Sequence, residues 1–234
     1  MDIENYSKIA PQYYNNSIPS ILKNYLDKFK YESILDCGCG DGSLLYALDK
    51  FGYFTGKKVF AIDMSENRIK LVKKINSTII ASVDSAEELK TIENDSIDLF
   101  ISTQVIEHVD DKKMIKQIEN KLSLGGVAYI STVFKKWYGW YYYRNNGKWV
   151  IDPTHMREYS RDDQLLSLFD QKKFTLLENK KELQWFPILD FFVKRINLTN
   201  RRLYENSAMK LLRKIKLPIL GYYHWEIALK KIDN

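Results

Sequence analysis

Hydrophobic positions along the first 133 residues of this 234-residue chain alternate between two periods. Short, nearly continuous apolar runs read as buried strands over Ser33–Cys37, Lys58–Ile62, Thr78–Val83, Ile97–Ser102 and Gly126–Val133. Between them the apolar residues recur every three or four positions, as in Leu44, Leu45 and Leu48, then Ile69, Val72 and Ile75, then Met114, Ile115, Ile118 and Leu122. That spacing predicts helices with one buried stripe. Ser65 is placed to cap the second of them, Asp110 or Asp111 the third, and Gly125 to end it. Strand and helix in alternation predict an α/β fold, a parallel sheet with helices on both faces. Ligands of such sheets bind at the carboxyl ends of the strands.

After Val133 the pattern dissolves. An aromatic cluster runs from Trp137 to Tyr143, and Asn145 to Trp149 reads as a turn. A helix is expected over Arg161–Asp170 and strands around Phe174–Leu177 and Tyr222–Leu229. Trp185–Pro218 is irregular, part apolar and part basic, and no linker divides the chain.

The candidate chemistry starts where the first strand ends. Asp36 is followed by Gly38, Gly40 and Gly42, and a helix follows at once. Glycine at every second position lets the chain turn tightly and lets a ligand lie against bare backbone. A dinucleotide loop needs G-x-G-x-x-G, and here Ser43 stands in the third glycine's slot. No G-x-x-x-x-G-K-[ST] phosphate cradle is present either. A carboxylate just before the loop repels phosphate and attracts an ammonium or sulfonium centre.

With that acid in place, D-x-G-x-G-x-G resembles motif I of the class I S-adenosylmethionine-dependent methyltransferases. Four more segments are similar in order. Val59–Ser65 resembles the second strand, whose end acid, here Asp63, holds ribose hydroxyls, with Met64 against the adenine face. Ser82–Ala86 resembles the third-strand end, with Asp84 and Ser85 at the adenine. Asp98–Val109 resembles motif IV and includes Gln104, and Leu124–Ile130 resembles the turn into strand five. The nearest likeness is to the ubiquinone/menaquinone-biosynthesis-like small-molecule group, whose members often open with a tyrosine-bearing helix like Tyr6–Tyr14. The resemblance implies a Rossmann-like, doubly wound, seven-stranded sheet, mostly parallel with the last strand antiparallel. It implies S-adenosyl-L-methionine held by Tyr14, Asp36, Gly38, Cys39, Gly40, Asp63, Met64, Asp84, Ser85 and Gln104. One domain over 1–234 is expected, with 134–160 and 181–219 as inserted substrate covers.

Methyl transfer from a sulfonium is an in-line displacement, so the protein must align the reactants in a dry pocket. An oxygen nucleophile can also need a base. Glu107, His108 and His155 are the titratable candidates near the strand ends, and His224 falls in the last strand as a structural residue. Some relatives bind a divalent metal through E-x-x-E-H. This chain reads Gln104-x-x-Glu107-His108, and a neutral amide is a poorer ligand for a hard cation, so no metal ligands are assigned. His155 and Arg157 lie in a loop where substrate residues are often found. The expected activity is O-methylation of a small molecule such as a quinone precursor, a sugar or a lipid-linked acceptor.

Composition adds three limits. No apolar run approaches the roughly 20 residues of a membrane helix, and the first residues lack a secretory pattern. The only cysteines, Cys37 and Cys39, are too close for an ordinary disulfide, which fits a reducing, cytoplasmic setting. The net charge of +6 sits late: Lys181–Lys231 holds eleven Lys/Arg against four Asp/Glu. That asymmetry suits an anionic partner, a peripheral membrane or lipid-linked contact, or a solvated basic face. RNA methylation is the alternative function, and nucleic acid the weaker partner, since no RNA-binding module is appended. A monomer or homodimer is expected.

Overall fold

The computed structural model describes residues 17–141, 143–145, 147–189 and 206–233. The expected Tyr6–Tyr14 helix and Tyr14 itself lie outside them. The first half follows the hydrophobic pattern closely. Helix α1 (Ser20–Lys28) leads into β1 (Ser33–Cys37), α2 (Ser43–Lys50), β2 (Lys58–Asp63), α3 (Glu66–Val72), β3 (Ile80–Val83), β4 (Ile97–Thr103), α4 (Asp111–Lys121) and β5 (Leu122–Lys135). Ser65 caps α3 by accepting from the Arg68 amide, and Asp110 caps α4 by accepting from that of Lys113.

With β8 (Phe174–Pro187) and β9 (Lys216–Lys231) added, the sheet order is β3-β2-β1-β4-β5-β9-β8. Strands β1 to β5 pair in parallel. Strand β9 runs antiparallel to β5 on one side and to β8 on the other. This is the seven-stranded, doubly wound sheet with an antiparallel last strand. Every residue of β1 is buried because helices cover both faces. Leu35 and Cys37 pack with Met114, Ile118 and Phe100 on one side, while Ile34 packs with Leu22, Leu45, Ile69 and Leu99 on the other.

Three expectations are corrected. Helix α4 ends at Lys121 rather than at Gly125, which instead lies inside β5 at φ +82°. No glycine cap is needed, since the buried Lys231 ammonium donates to the carbonyls of Glu119 (3.0 Å) and Leu122 (2.9 Å) and holds the helix end. The helix expected over 161–170 is only α5 (Asp163–Leu166). Where described, the segment expected to be irregular is regular: β8 and β9 run for 14 and 16 residues as one ribbon, with α6 (Ser207–Leu212) before β9. Strands β6 (Tyr143–Asn145) and β7 (Lys148–Val150) form a hairpin that turns at Gly147 (φ +76°). Both cysteines are free and buried, and no helix among the described residues is long and apolar enough to cross a membrane.

Candidate active site

The chain leaves β1 on one side to build β2 and β3 and on the other to build β4 and β5, so a crevice opens at the carboxyl ends of β1 and β4. The glycine loop fills its base. Gly38, Gly40 and Gly42 have φ of +78°, +57° and +83°, the left-handed region that side chains disfavour. The Gly38 and Cys39 amides both donate to the Ile62 carbonyl at 2.9 Å, which ties the loop to the end of β2. A Cβ on Gly38 would lie 2.3 Å from Val105 Cγ2.

Asp63 organises this loop. Its Oδ1 accepts from the Ser65 amide (2.8 Å), its Oδ2 from the Gly40 amide (3.0 Å), and the Arg68 guanidinium stands 3.6 Å away. Asp36 is buried beneath the loop, and its Oδ1 has no hydrogen-bond partner among the described residues. Burial, with the nearby Asp63 charge, pushes the Asp36 carboxyl up to about 7.

A cleft of about 680 Å³ joins this region to the candidate base residues. Gly38, Asp63, Met64, Asp84, Gln104, Val105, His108, Thr154 and His155 all line it. Met64 is half exposed, as an adenine platform requires. Asp36, Cys39, Gly40, Ser85 and Glu107 do not line the cleft. Cys39 belongs to the core, and the Ser85 hydroxyl accepts from the Glu87 amide. Asp84 is also a loop pin: its Oδ1 accepts from the Ser85 amide, and its Oδ2 from the Thr91 amide and hydroxyl, all at 2.7 Å.

The base candidates converge. The rings of His108 and His155 stand edge to face with centroids 4.7 Å apart. Ligand-type atoms of Glu107, His108 and His155 lie within 4.8 Å of one another. Glu107 is fully buried behind the pair and accepts from the Thr132 hydroxyl at 2.9 Å. Burial pushes its carboxyl up to about 7, against the opposing pull of His155 and Thr132. Gln104 sits at φ +56°, and with its amide turned as its neighbours require, the nitrogen donates to Glu107 Oε1 at 3.3 Å. Burial, and the charge His155 would carry, hold His108 below its ordinary range.

The residue missed in the sequence is Glu158, three positions after His155 and on the same loop. Its Oε1 lies 3.2 Å from His155 Nδ1 and accepts from the Ile151 amide at 2.7 Å. Burial drives this carboxyl upward, but the His155 and Ile151 hydrogen bonds and the Lys135 charge outweigh it and leave it below the usual range. A carboxylate only accepts, so in the neutral ring the His155 proton sits on Nδ1, which leaves the Nε2 lone pair open. Arg157, expected at the substrate, is instead a clamp. It donates to the carbonyls of Ile106 (3.0 Å) and Val109 and pairs with Asp111 (3.2 Å), so it fixes the turn that carries Glu107 and His108. Only its neighbours in the fold, not its sequence context, distinguish a clamp from a substrate contact.

Strand order, a glycine loop after β1 and acids at the ends of β1, β2 and β3 together define a class I methyltransferase fold. A family model described as a methyltransferase domain matches residues 10–179. The chain belongs to that family and is an S-adenosyl-L-methionine-dependent methyltransferase. Among curated relatives, a ubiquinone biosynthesis O-methyltransferase of Coxiella burnetii is 23% identical over 177 residues, 68% of this chain and 74% of its own. The mitochondrial ubiquinone biosynthesis O-methyltransferase of Saccharomyces cerevisiae is 24% identical over 195 residues, 75% of this chain and 61% of its own. In structure, the [4+2]-cyclase SpnF aligns with a TM-score of 0.61 at 14% identity over 99% of this chain and 92% of its own. The geranyl diphosphate C-methyltransferase of Streptomyces coelicolor A3(2) aligns at 0.58 with 14% identity, over 90% of this chain and 77% of its own. These structural likenesses establish the fold, and a fold hosts many reactions.

Proposed function

We propose that the chain methylates a hydroxyl of a small molecule, with His155 as the base that receives the hydroxyl proton. The observation that carries this reading is the single cleft in which the Gly38, Asp63 and Asp84 surface meets the His108–His155 pair. The residues fit the methyl donor. Asp63 and Asp84 still offer lone pairs to hydroxyl and amino groups, Met64 offers an apolar platform, and the buried Asp36 carboxyl, when ionised, would add negative potential behind the loop. S-adenosyl-L-methionine supplies an electrophilic methyl group on a sulfonium. The protein's own part is to bind both reactants, exclude water and take one proton. Glu158 holds the His155 ring with Nε2 available, and its charge favours the imidazolium that proton uptake creates. Segments 134–160 and 181–219 act as the substrate covers in this reading. The two relatives named as ubiquinone biosynthesis O-methyltransferases support an oxygen acceptor.

A second reading has the Glu107, His108 and His155 convergence behind it. There the three would hold a divalent cation that lowers the pKa of the acceptor hydroxyl, and Gln104 would weaken the site by lacking charge. The first test incubates the protein with methyl-labelled S-adenosyl-L-methionine and a cell extract and identifies labelled products by mass spectrometry. A labelled ether or ester confirms oxygen transfer, and label on carbon or nitrogen refutes it. Full activity after dialysis against EDTA selects the His155 base. Loss of activity that Mg²⁺ or Zn²⁺ restores selects the metal.

A further inference from the structure

The β8–β9 ribbon outruns the rest of the sheet. Lys135, the last residue of β5, pairs with Tyr222, so β9 residues 216–221 and their β8 partners lie beyond the carboxyl end of β5. This is the edge of the sheet on which the cleft opens. Three segments pack together there. Tyr141 and Ile151 from either side of the hairpin, Phe186 from β8, and Ile219 and Tyr222 from β9 share a small core with Val133. The turn at 136–139 is bonded to it as well, since the Lys136 amide donates to the Gly221 carbonyl at 2.8 Å.

What this end presents outward is unusual. Trp137 is 92% exposed, Leu220 68% and Leu211 64%, with Ile215, Leu217 and Trp185 each more than half exposed. Among the described residues of these stretches the charges have one sign. Residues 121–151 contain no Asp or Glu, and neither do residues 206–225. Lys136, Arg144 and Lys148 are exposed on the first stretch, Lys214 and Lys216 on the second. None of these residues lines the cleft. Exposed Trp, Leu and Ile beside Lys and Arg, without acids, match a bilayer interface: apolar side chains enter the acyl boundary and cations meet anionic headgroups. A nucleic-acid face would need the cations but not the exposed aliphatic side chains.

We propose that the end of the β8–β9 ribbon, with the 136–149 segment, docks this protein on anionic membrane surfaces. The face lies outside the catalytic cleft, so the proposal stands or falls independently of the acceptor's identity. The full chain is sedimented with vesicles of phosphatidylcholine alone and with vesicles containing about one-third phosphatidylglycerol. Expected is binding to the anionic vesicles that weakens with salt, with tryptophan emission shifted to the blue. The pair Trp137→Ser and Leu220→Ser should abolish binding at an unchanged melting temperature. The pair Lys214→Glu and Lys216→Glu should reduce anionic-vesicle binding about tenfold or more. A wild-type chain that stays in the supernatant, or charge-reversed protein that binds as the wild type does, overturns the proposal. So does tighter binding to single-stranded RNA than to anionic vesicles at one salt concentration. A dimer that dissociates in the Trp137→Ser/Leu220→Ser variant would give the face to a second copy instead.

Discussion

The glycine half of the molecule and the ribbon half meet at one cleft, yet they are held by opposite means. In β1 the sheet is buried on both faces, and the costs of this half are concentrated at the ligand edge: Gln104 in the left-handed region and a buried Asp36 whose Oδ1 has no partner among the described residues. From β6 to β9 the stabilising contacts are polar and aromatic. The Lys181 ammonium lies 2.7 Å from Asp162 and within 5 Å of the Phe134 and Trp225 ring centres. Lys231 holds the end of α4, and Glu158 gathers His155, Ile151 and Lys135. The difference separates two tasks. A preformed, strained surface suits a fixed ligand such as the methyl donor, whereas a surface built from long side chains suits a part that selects varied acceptors.

In the proposed reaction His155, from the second half, works on the donor held by the first, so it tests their meeting most severely. His155→Gln should lower the methyl-transfer rate by about 10²–10⁴ while leaving donor affinity within about twofold of wild type in calorimetry. An equal loss of both would merge the two tasks. Next is Gly38→Ala. Its methyl group meets Val105 at a φ of +78°, so folding stability should fall by about 2–4 kcal/mol and donor binding should weaken. Gly52→Ala, at φ +79° with nothing within 4 Å, should cost only about 1 kcal/mol and leave binding intact. Urea melts of both variants check the contrast.

Asp36→Asn gives a pH-dependent test of the stored cost. The folded carboxyl is raised to about 7, above its value of 3.8 in the unfolded chain. The folded state therefore binds more protons between those values, and stability falls as pH rises through this window, by up to about 1.4 kcal/mol per pH unit. Asp36→Asn should flatten that slope, raise stability at pH 8 by about 2–4 kcal/mol, and weaken donor binding. An unchanged pH profile would remove the buried charge from the account. The smallest effect belongs to the ribbon: Lys181→Met should cost about 1 kcal/mol in urea melts and leave donor affinity unchanged.

The same contrast explains what the sequence made legible. Strands such as Ser33–Cys37 and Ile97–Thr103 lie between helices on both faces, so their apolar runs match the structure to within a residue. The ribbon is half exposed along most of β8, which erases the alternation that marks a strand, and only its first residues stood out. Within the site, the glycine spacing and the order of Asp63 and Asp84 pointed to residues that the fold brings to one cleft. Glu158 and Arg157 did not separate on sequence, because one holds His155 and the other a backbone turn only through contacts across the fold. Asp84 carries more than the resemblance implied, since Thr91 and Ser85 already engage both of its oxygens.

The central claim is that Asp63 and the glycine loop it organises form the donor surface of this cleft. Calorimetric titration of S-adenosyl-L-methionine into wild-type and Asp63→Ala protein, both shown folded by circular dichroism, tests it directly. Saturable wild-type binding that weakens about a hundredfold in the variant is the predicted result, from the loss of two charge-assisted hydrogen bonds. Binding by Asp63→Ala as tight as the wild type would contradict it.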